Sequence, residues 1–239
     1  MLASKLKKEL IKKGATISDA EKFSEELVEF SNYAFNKSHS AAYSYIAYYT
    51  AWLKHFYPEE YMANVLNWSS LKEQPVYIKE SRDMGIDILP PSINESGMDF
   101  TPVEKGVIRF GLGGIKNVGK AREDIINDRL ENGPYKNVPD YVKRMVNRNS
   151  RGVYKQVLES LIYAGAIDGL GYNRHQLIEG TTEYVKVLKD YLKKEETAKR
   201  QDTKDRAKEK VDNFKFDPFL NEFSKDHILD MEKKYLGFY

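Results

Sequence analysis

The sequence predicts a mainly α-helical protein that carries one small β element. Apolar residues recur at helical spacing along most of the 239 residues, and capping signals and glycine stops separate the runs. Strand-like patterns occur only at residues 86–89 and 107–110, which puts the β element at about residues 86–112. The composition is that of a globular chain, because 41% of the residues are hydrophobic and 31% are charged.

The first four helices follow from apolar periodicity and from their end signals. Gly14 ends the first helix, and Ser18 with Glu21 matches a capping box that begins the second. A third helix is expected at about residues 40–55. Pro58 suits the first turn of a fourth.

The later elements follow from the same signals. Further helices are expected at residues 76–84, 118–130, 138–146, 153–164, 174–191 and 226–235. Sixteen of the 25 residues from 186 to 210 are charged, so this segment is either a long solvated helix or a mobile linker. Beyond it lies an aromatic cluster that needs a partner surface, made of Phe214, Phe216, Phe219 and Phe223.

Composition and scattered residue types exclude several classes of chemistry. There is no cysteine, which excludes disulfides, thiolate zinc sites and cysteine nucleophiles, and favours a cytoplasmic location. The four histidines are scattered and predict no metal site. Residues 38–53 form the longest weakly charged stretch, which is too short to span a bilayer, and no secretory signal or membrane partner is expected.

Charge is distributed unevenly along the chain. Residues 56–104 contain nine acidic and three basic residues, whereas residues 105–155 contain twelve basic and five acidic residues, a net charge of +7. Such a basic segment is typical of a surface that meets phosphates, and a solvated basic face is an equal alternative.

A first candidate site lies at residues 35–43, which read FNKSHSAAY. Lys37, Ser38 and His39 stand near a predicted helix N-terminus, where backbone N–H groups and positive charge suit a phosphate. Tyr43 follows His39 by one helical turn, so their rings could flank one ligand. The alternative is that a serine caps the helix while His39 and Tyr43 pack inside, and residue chemistry alone favours it.

A second candidate site is a glycine-rich hairpin at residues 112–120, which opens a helix and carries Lys116, Lys120 and Arg122. It matches neither the P-loop nor the dinucleotide-binding pattern. A similar unit recurs at residues 161–168. Each hairpin alone could be a plain turn, but two of them on a basic background resemble a tandem helix-hairpin-helix module, which contacts DNA phosphates without reading sequence.

Several long motifs, in the same order, closely resemble the alpha subunit of bacterial DNA polymerase III, a C-family replicative polymerase. The segments that carry the resemblance are residues 33–43, 49–54, 57–63, 89–96, 108–113, 115–119, 158–162, 165–168 and 235–239. The resemblance spans nearly the whole chain and is therefore more specific than either hairpin alone.

The resemblance implies a domain organisation and site residues. It implies the C-terminal part of the polymerase fingers at residues 1–75, a connecting segment with a short strand at 76–104 and the tandem helix-hairpin-helix module at 105–182. Residues 183–239 would be a charged linker and the start of the segment leading to an OB-fold. Residues implied to face the nucleotide are Lys37, Ser38, His39 and Tyr43. Residues implied to contact DNA are Gly114, Lys116, Asn117, Val118, Gly119, Lys120, Arg122, Gly165, Asn173 and Arg174.

The function implied is that of a fragment of a DNA-directed DNA polymerase, a nucleotidyltransferase, which helps to position a deoxynucleoside triphosphate and binds duplex DNA. The alternative is a free-standing DNA-backbone-binding protein. The palm would precede Met1, so Mg²⁺ is expected only in that missing domain and the chain alone is expected to be inactive. The rest of the polymerase and its sliding clamp are further implied partners, although Gln201 begins no clear clamp-binding peptide.

Overall fold

Helices dominate the structure, as the sequence predicts. The computed structural model describes residues 2–33, 36–70 and 72–237, which contain eleven α-helices and a three-stranded sheet. The chain divides into two compact units, residues 1–56 and 57–239. The prediction of a mainly α fold with a small β element is confirmed.

The first unit begins with two packed helices, α1 (Leu2–Lys12) and α2 (Ile17–Tyr33). Gly14 follows α1 with φ at +96°, which confirms the predicted stop. The predicted cap at Ser18 is wrong, because Ser18 lies inside the first turn of α2. Thr16 caps the helix instead, and its Oγ1 accepts a hydrogen bond from the N–H of Asp19 at 3.1 Å.

The third helix, α3 (Lys37–Phe56), begins three residues before the predicted start. Asn36 explains the difference, since its Oδ1 accepts hydrogen bonds from the N–H and the hydroxyl of Ser38 at 3.0 and 2.7 Å. None of the residues of α3 is buried. Its exposed large side chains include Tyr43, Tyr45, Ile46, Tyr48, Tyr49, Trp52, Leu53 and Phe56.

The second unit begins with α4 (Pro58–Trp68) and α5 (Gln74–Asp83), which lie beside the sheet. The sheet contains β1 (Asp87–Leu89), β2 (Thr101–Glu104) and β3 (Val107–Arg109) in the order β1-β3-β2, with β3 parallel to β1 and antiparallel to β2.

The sequence patterns do not predict strand β2, because it contains Pro102 and no alternation of buried and exposed residues. Pro102 is tolerated because β2 lies at a sheet edge. A side chain of helix α4, outside the sheet, holds the start of the strand in place. The side-chain amide of Asn67 donates to the carbonyl of Phe100 at 3.0 Å and accepts from its N–H at 2.7 Å.

Four helices then enclose the main core. They are α6 (Ala121–Asn132), α7 (Val138–Asn147), α8 (Lys155–Tyr163) and α9 (Arg174–Thr197). Fully buried members of this core include Ile125, Tyr141, Met145 and Leu161. Helix α6 begins later than the predicted residue 118, since the preceding residues form the hairpin turn.

The charged segment is helical and packed, so it is neither one long helix nor an irregular linker. Helix α9 ends at Thr197, and α10 (Gln201–Asp212) follows after a break and packs against α9. Ala207 is only 3% exposed and supplies the buried contact on α10. The last helix, α11 (Lys225–Leu236), ends at Gly237 with φ at +89°, close to its predicted bounds.

The aromatic cluster finds its partner surface within the chain. The ring centroids of Phe214 and Tyr184 are 5.0 Å apart, and those of Phe216 and Tyr172 are 4.3 Å apart. Phe219 is the exception, because it is 88% exposed. The segment between α10 and α11 is therefore anchored on the outer face of α9.

Candidate nucleic-acid interface

The first hairpin follows β3 and leads into α6. Its buried residues, Ile115 and Val118, fix it to the core, while Lys116 and Lys120 are exposed at its tip. Asn117 and Gly119, also exposed, adopt positive φ angles of 67° and 50°. The chain therefore turns sharply and directs its backbone outward between the two lysines.

Glycines at the base of this hairpin permit close packing. A Cβ on Gly114 would lie 2.6 Å from the ring of Phe110, and one on Gly113 would lie 2.6 Å from the carbonyl oxygen of Met98. Gly114 is half-buried. Its role in the structure is to seat the hairpin against the core.

The tip of the first hairpin leaves backbone donors open. No side chain caps α6 at Lys120, and within the described part of the chain the N–H groups of Asn117, Gly119 and Lys120 donate to no protein acceptor. The N–H of Lys116 is used, since it donates to the carbonyl of Tyr235 at 3.0 Å. Open N–H groups at a helix N-terminus, beside two ammonium groups, make a site suited to an anion.

Arg122 lies back along the hairpin rather than at its tip. It is half-buried, and a terminal guanidinium nitrogen lies 3.1 Å from where a Cβ on Gly113 would be. Its Nε is buried and has no hydrogen-bond partner among the described residues. Arg122 therefore contributes charge beneath the hairpin and less directly than Lys116 and Lys120.

In the second hairpin, between α8 and α9, the backbone N–H groups at the start of α9 donate to side chains of the protein itself. Asn173 and Gln176 form a reciprocal capping box with hydrogen bonds of 2.8 and 3.1 Å. The N–H groups of Arg174 and His175 donate to the carboxylate of Glu222 at 3.0 and 3.3 Å. The first turn of α9 thus has its N–H groups satisfied internally, whereas the open N–H groups of the first hairpin belong to Asn117, Gly119 and Lys120, which precede α6.

The structure places Arg174 differently from the expected phosphate contact. It is 8% exposed, and a terminal nitrogen lies 2.7 Å from Asp168 and 2.8 Å from Glu232. Burial opposes its charged form, but these two carboxylates outweigh burial and raise its pKa. A Cβ on Gly165 would lie 2.5 Å from the same guanidinium, so Gly165 makes room for it. Both residues serve an internal ion cluster.

The basic segment turns much of its charge inward. Asp128, which is 2% exposed, accepts from Nε of Arg144 at 2.6 Å and from Nε of Arg148 at 2.7 Å. Burial would raise the pKa of Asp128, but the hydrogen bonds from Arg148 and Arg144 outweigh it and hold that pKa below its ordinary value of 3.8. Arg129 donates to the carbonyls of Ile93 and Ser96. The outward charge is carried mainly by lysines.

The predicted nucleotide-facing residues lie on the first turns of α3. Lys37, Ser38, His39 and Tyr43 are all exposed, so the alternative in which His39 and Tyr43 are buried is wrong. The ring centroids of His39 and Tyr43 are 4.4 Å apart, and Ser38 bonds to Asn36. Phe35 lies outside the described residues.

Metal-binding clusters and membrane spans are absent from the part of the chain that the structure describes. No group of three or more His, Cys, Asp or Glu side chains there could hold a metal ion. No helix in the same part of the chain has the length and apolar character needed to cross a membrane.

Sequence reasoning missed the residues that close the second hairpin, Glu222 and Glu232, and the contact of Tyr235 with the first. Glu222 lies 48 residues from Arg174, and no periodicity or spacing rule connects positions so far apart. The local capping signal of Asn173 with Gln176 was present in the sequence but does not reveal what fills the remaining donors.

Two hairpins that each lead into a helix place this protein in the class of proteins with a helix-hairpin-helix motif. A family model described as a helix-hairpin-helix motif matches residues 85–177. The chain is also 39% identical to DNA polymerase III subunit alpha of Borreliella burgdorferi, over 96% of this chain and 20% of that protein. The same subunit of Thermus aquaticus is 41% identical over 66% of this chain and 13% of its own length. The same subunit of Campylobacter jejuni is 34% identical over 95% of this chain and 19% of its own length.

The chain belongs to the family of DNA polymerase III alpha subunits, which confirms the resemblance found in the sequence. It spans about a fifth or less of the length of these three relatives.

Proposed function

We propose that this chain is a DNA-holding part of a replicative DNA polymerase and that its first hairpin contacts the phosphate backbone of duplex DNA. The observation that carries the proposal is the set of open N–H groups at Asn117, Gly119 and Lys120, flanked by the exposed ammonium groups of Lys116 and Lys120. Backbone amides and ammonium groups recognise phosphate oxygens and do not read base edges.

This chemistry makes quantitative demands on binding. A few amide and lysine contacts should bind every duplex alike, with dissociation constants on the order of 10⁻⁴ to 10⁻⁶ M at physiological salt. Each phosphate contact releases condensed counterions, so affinity should fall steeply as salt rises. Of the residues implied by the resemblance, Lys116, Asn117, Gly119 and Lys120 are the direct contacts that we propose, with Arg122 as a supporting charge.

The test is to replace Lys116 and Lys120 together by alanine. We expect weaker binding to two unrelated duplexes and a slope of log affinity against log salt that is flatter by about 0.9 for each phosphate that the protein no longer neutralises. Fluorescence anisotropy at several salt concentrations measures both quantities. The matched control is Lys193→Ala with Lys199→Ala, which removes the same charge from exposed positions at the α9 to α10 junction.

Equal losses of affinity in the two double variants would mean that net charge alone drives binding. Retention of both affinity and slope after the Lys116 and Lys120 changes would refute the hairpin as the contact surface.

We also propose that Lys37, Ser38, His39 and Tyr43 face the incoming nucleotide in the assembled polymerase. Support comes from their exposure on the first turns of α3 and from the 4.4 Å approach of the His39 and Tyr43 rings. Lys37→Ala and His39→Ala, made at the matching positions of a full-length relative, should raise KM for nucleotide. A matched change at Lys54, near the other end of the same helix, should not. Unchanged kcat and KM in the double variant would mean that these residues only begin helix α3 and do not contact the nucleotide.

The remaining partners follow from the family. We propose that Mg²⁺ acts in the polymerase outside this segment and that the rest of the polymerase and its sliding clamp act alongside it. A free-standing DNA-backbone-binding protein remains the alternative function. A palm-coding sequence in the adjoining reading frame would favour the polymerase.

A further inference from the structure

A short segment lies across the first turn of α9 like a strap. We define the strap as residues 217–223. Three of its carbonyl oxygens accept side-chain hydrogen bonds from that turn, those of Leu220, Asn221 and Asp217. Their donors are Asn173 Nδ2 at 2.8 Å, His175 Nδ1 at 2.9 Å and Gln176 Nε2 at 3.0 Å, respectively. The first turn of α9 is therefore held by the strap along its whole length.

The strap delivers a carboxylate to the open end of the helix. Glu222 accepts from the N–H of Arg174 through one oxygen and from the N–H of His175 through the other. Two adjacent amides that grip two oxygens of one anion are also the means by which a helix N-terminus holds a phosphate. Because the capping box satisfies the next donors, Glu222 occupies the position that a phosphate would need.

The two hairpins differ in how the donors at their helix N-termini are used. In the first, the N–H groups of Gly119 and Lys120 have no protein acceptor within the described residues. In the second, the carboxylate of Glu222 fills the donors of Arg174 and His175 in the first turn of α9. Asp168 and Glu232 both pair with Arg174, so this cluster adds one net negative charge beside that carboxylate. A DNA phosphate would meet both a filled site and repulsion there.

We propose that Glu222 competes with DNA phosphate for the second hairpin, so that the duplex contacts the first hairpin alone until the strap is withdrawn. This inference rests on the proposed function, because it takes duplex DNA as the ligand of the module. The group that occupies the second hairpin is then the Glu222 carboxylate of this chain's own strap.

The strap is built so that it can be withdrawn at low cost. Glu222 and Asn221 are exposed, and Phe219 is 88% exposed, so lifting them uncovers little apolar surface. The ring contacts at stake are those of Phe223, whose centroid lies 4.3 Å from that of His175, 4.6 Å from that of His227 and 6.0 Å from that of Tyr163. The strap therefore has few buried apolar contacts, and segments of this kind open locally at a small fraction of the global unfolding free energy.

The test compares Glu222→Ala with Glu179→Ala in the full chain, using a DNA duplex as the probe. Glu179 lies on α9 one turn further on and bonds to neither amide, so both changes remove the same charge. Glu222→Ala should bind the duplex severalfold more tightly at low salt and steepen the salt slope by about 0.9, the value for one additional neutralised phosphate. Amide NMR signals of Arg174 and His175 should shift on adding duplex in this variant and stay fixed in the wild type.

Equal behaviour of the two variants, with unmoved Arg174 and His175 signals, would make the strap a plain helix cap and overturn the proposal. Thermal unfolding checks that the variants fold. If Glu222→Ala does not, Glu222→Gln removes the charge and keeps one acceptor, and it should change affinity and slope in the same direction. Its failure to do so would also overturn the proposal. Failure of the proposed function itself is distinguished by Lys116→Ala with Lys120→Ala, which would then leave binding unchanged.

Discussion

Basic side chains of this protein divide into two kinds according to what folding does with them. The arginines of the helix-hairpin-helix region, such as Arg144, turn their planar guanidinium groups inward and donate to carboxylates and carbonyl oxygens. The lysines, such as Lys116 and Lys120, stay in water. A guanidinium satisfies several fixed acceptors at once, whereas an ammonium is strongly hydrated and resists burial. A charge count from the sequence therefore overstates the charge that is exposed at the surface.

Asp128 makes this division testable through pH. Its folded pKa lies below the ordinary value of 3.8, so its contribution to stability is present above that value and is lost as pH falls through the folded pKa. In Asp128→Asn the two arginines keep an acceptor but lose the charge. We expect this variant to be less stable by about 3 kcal/mol at pH 6.

Urea unfolding at a series of pH values between about 6 and 2.5 measures the difference between Asp128→Asn and the wild type. The difference should shrink below pH 3.8, the ordinary value for this group. A gap of constant size over this range would show that the charge of Asp128 has no part in stability.

At the scale of elements, the sequence predicts what local patterns determine and misses what distant residues determine. Periodicity and caps find most helices of the second unit to within a few residues, and glycines mark the ends of α1 and α11. Strand β2 is missed because Asn67 and strand β3 create it. The break between α9 and α10 is missed because only packing on α9 separates two helices from one long charged run.

The same limit applies to the candidate site. Both hairpins are visible in the sequence because glycines and flanking apolar residues are local signals. The sequence does not show which hairpin keeps open N–H groups, because Glu222 reaches the second hairpin from 48 residues away. The family resemblance supplies the identity of the motif and leaves this difference between its two copies unspecified.

Asn67→Ala tests whether one side chain positions strand β2. The change removes a donor and an acceptor from the backbone of Phe100, whose side chain is buried, and should reduce stability by about 1–3 kcal/mol. Asn64→Ala is the control, since Asn64 is exposed on the same helix and does not bond to the backbone of Phe100. Urea unfolding measures both variants, and equal midpoints would refute the role of Asn67.

At the scale of the whole molecule, the two units differ in how far their large apolar side chains are buried. The second unit has a continuous core from the sheet to α9, and its hairpins lie at the surface of that core. The first unit exposes the large apolar and aromatic residues of α3. Such a surface is typical of an element whose partners belong to a larger assembly. This contrast agrees with a chain that spans about a fifth or less of its relatives.

The proposed place of the chain in a replicative polymerase leads to a prediction about catalysis. Transfer of a nucleotidyl group requires carboxylates that hold metal ions against the phosphates. In the proposed arrangement Mg²⁺ acts outside this segment, and the features that the described residues offer to DNA are open amides and exposed lysines. We therefore expect the purified chain to bind a primer-template but to extend no primer with Mg²⁺ and all four nucleotides.

Gel analysis of a labelled primer measures extension, and anisotropy on the same duplex verifies that the chain is bound during the assay. A full-length relative, assayed in parallel, is the positive control. In the relative, replacing the residues at the positions matching Lys116 and Lys120 by alanine should shorten the product made per binding event. The chemistry of each step should stay intact, because the proposed role of these residues is to hold DNA and not to contact the reacting phosphate. Template-dependent extension by a preparation of this chain free of other polymerases would contradict the assignment of catalysis to another part of the polymerase.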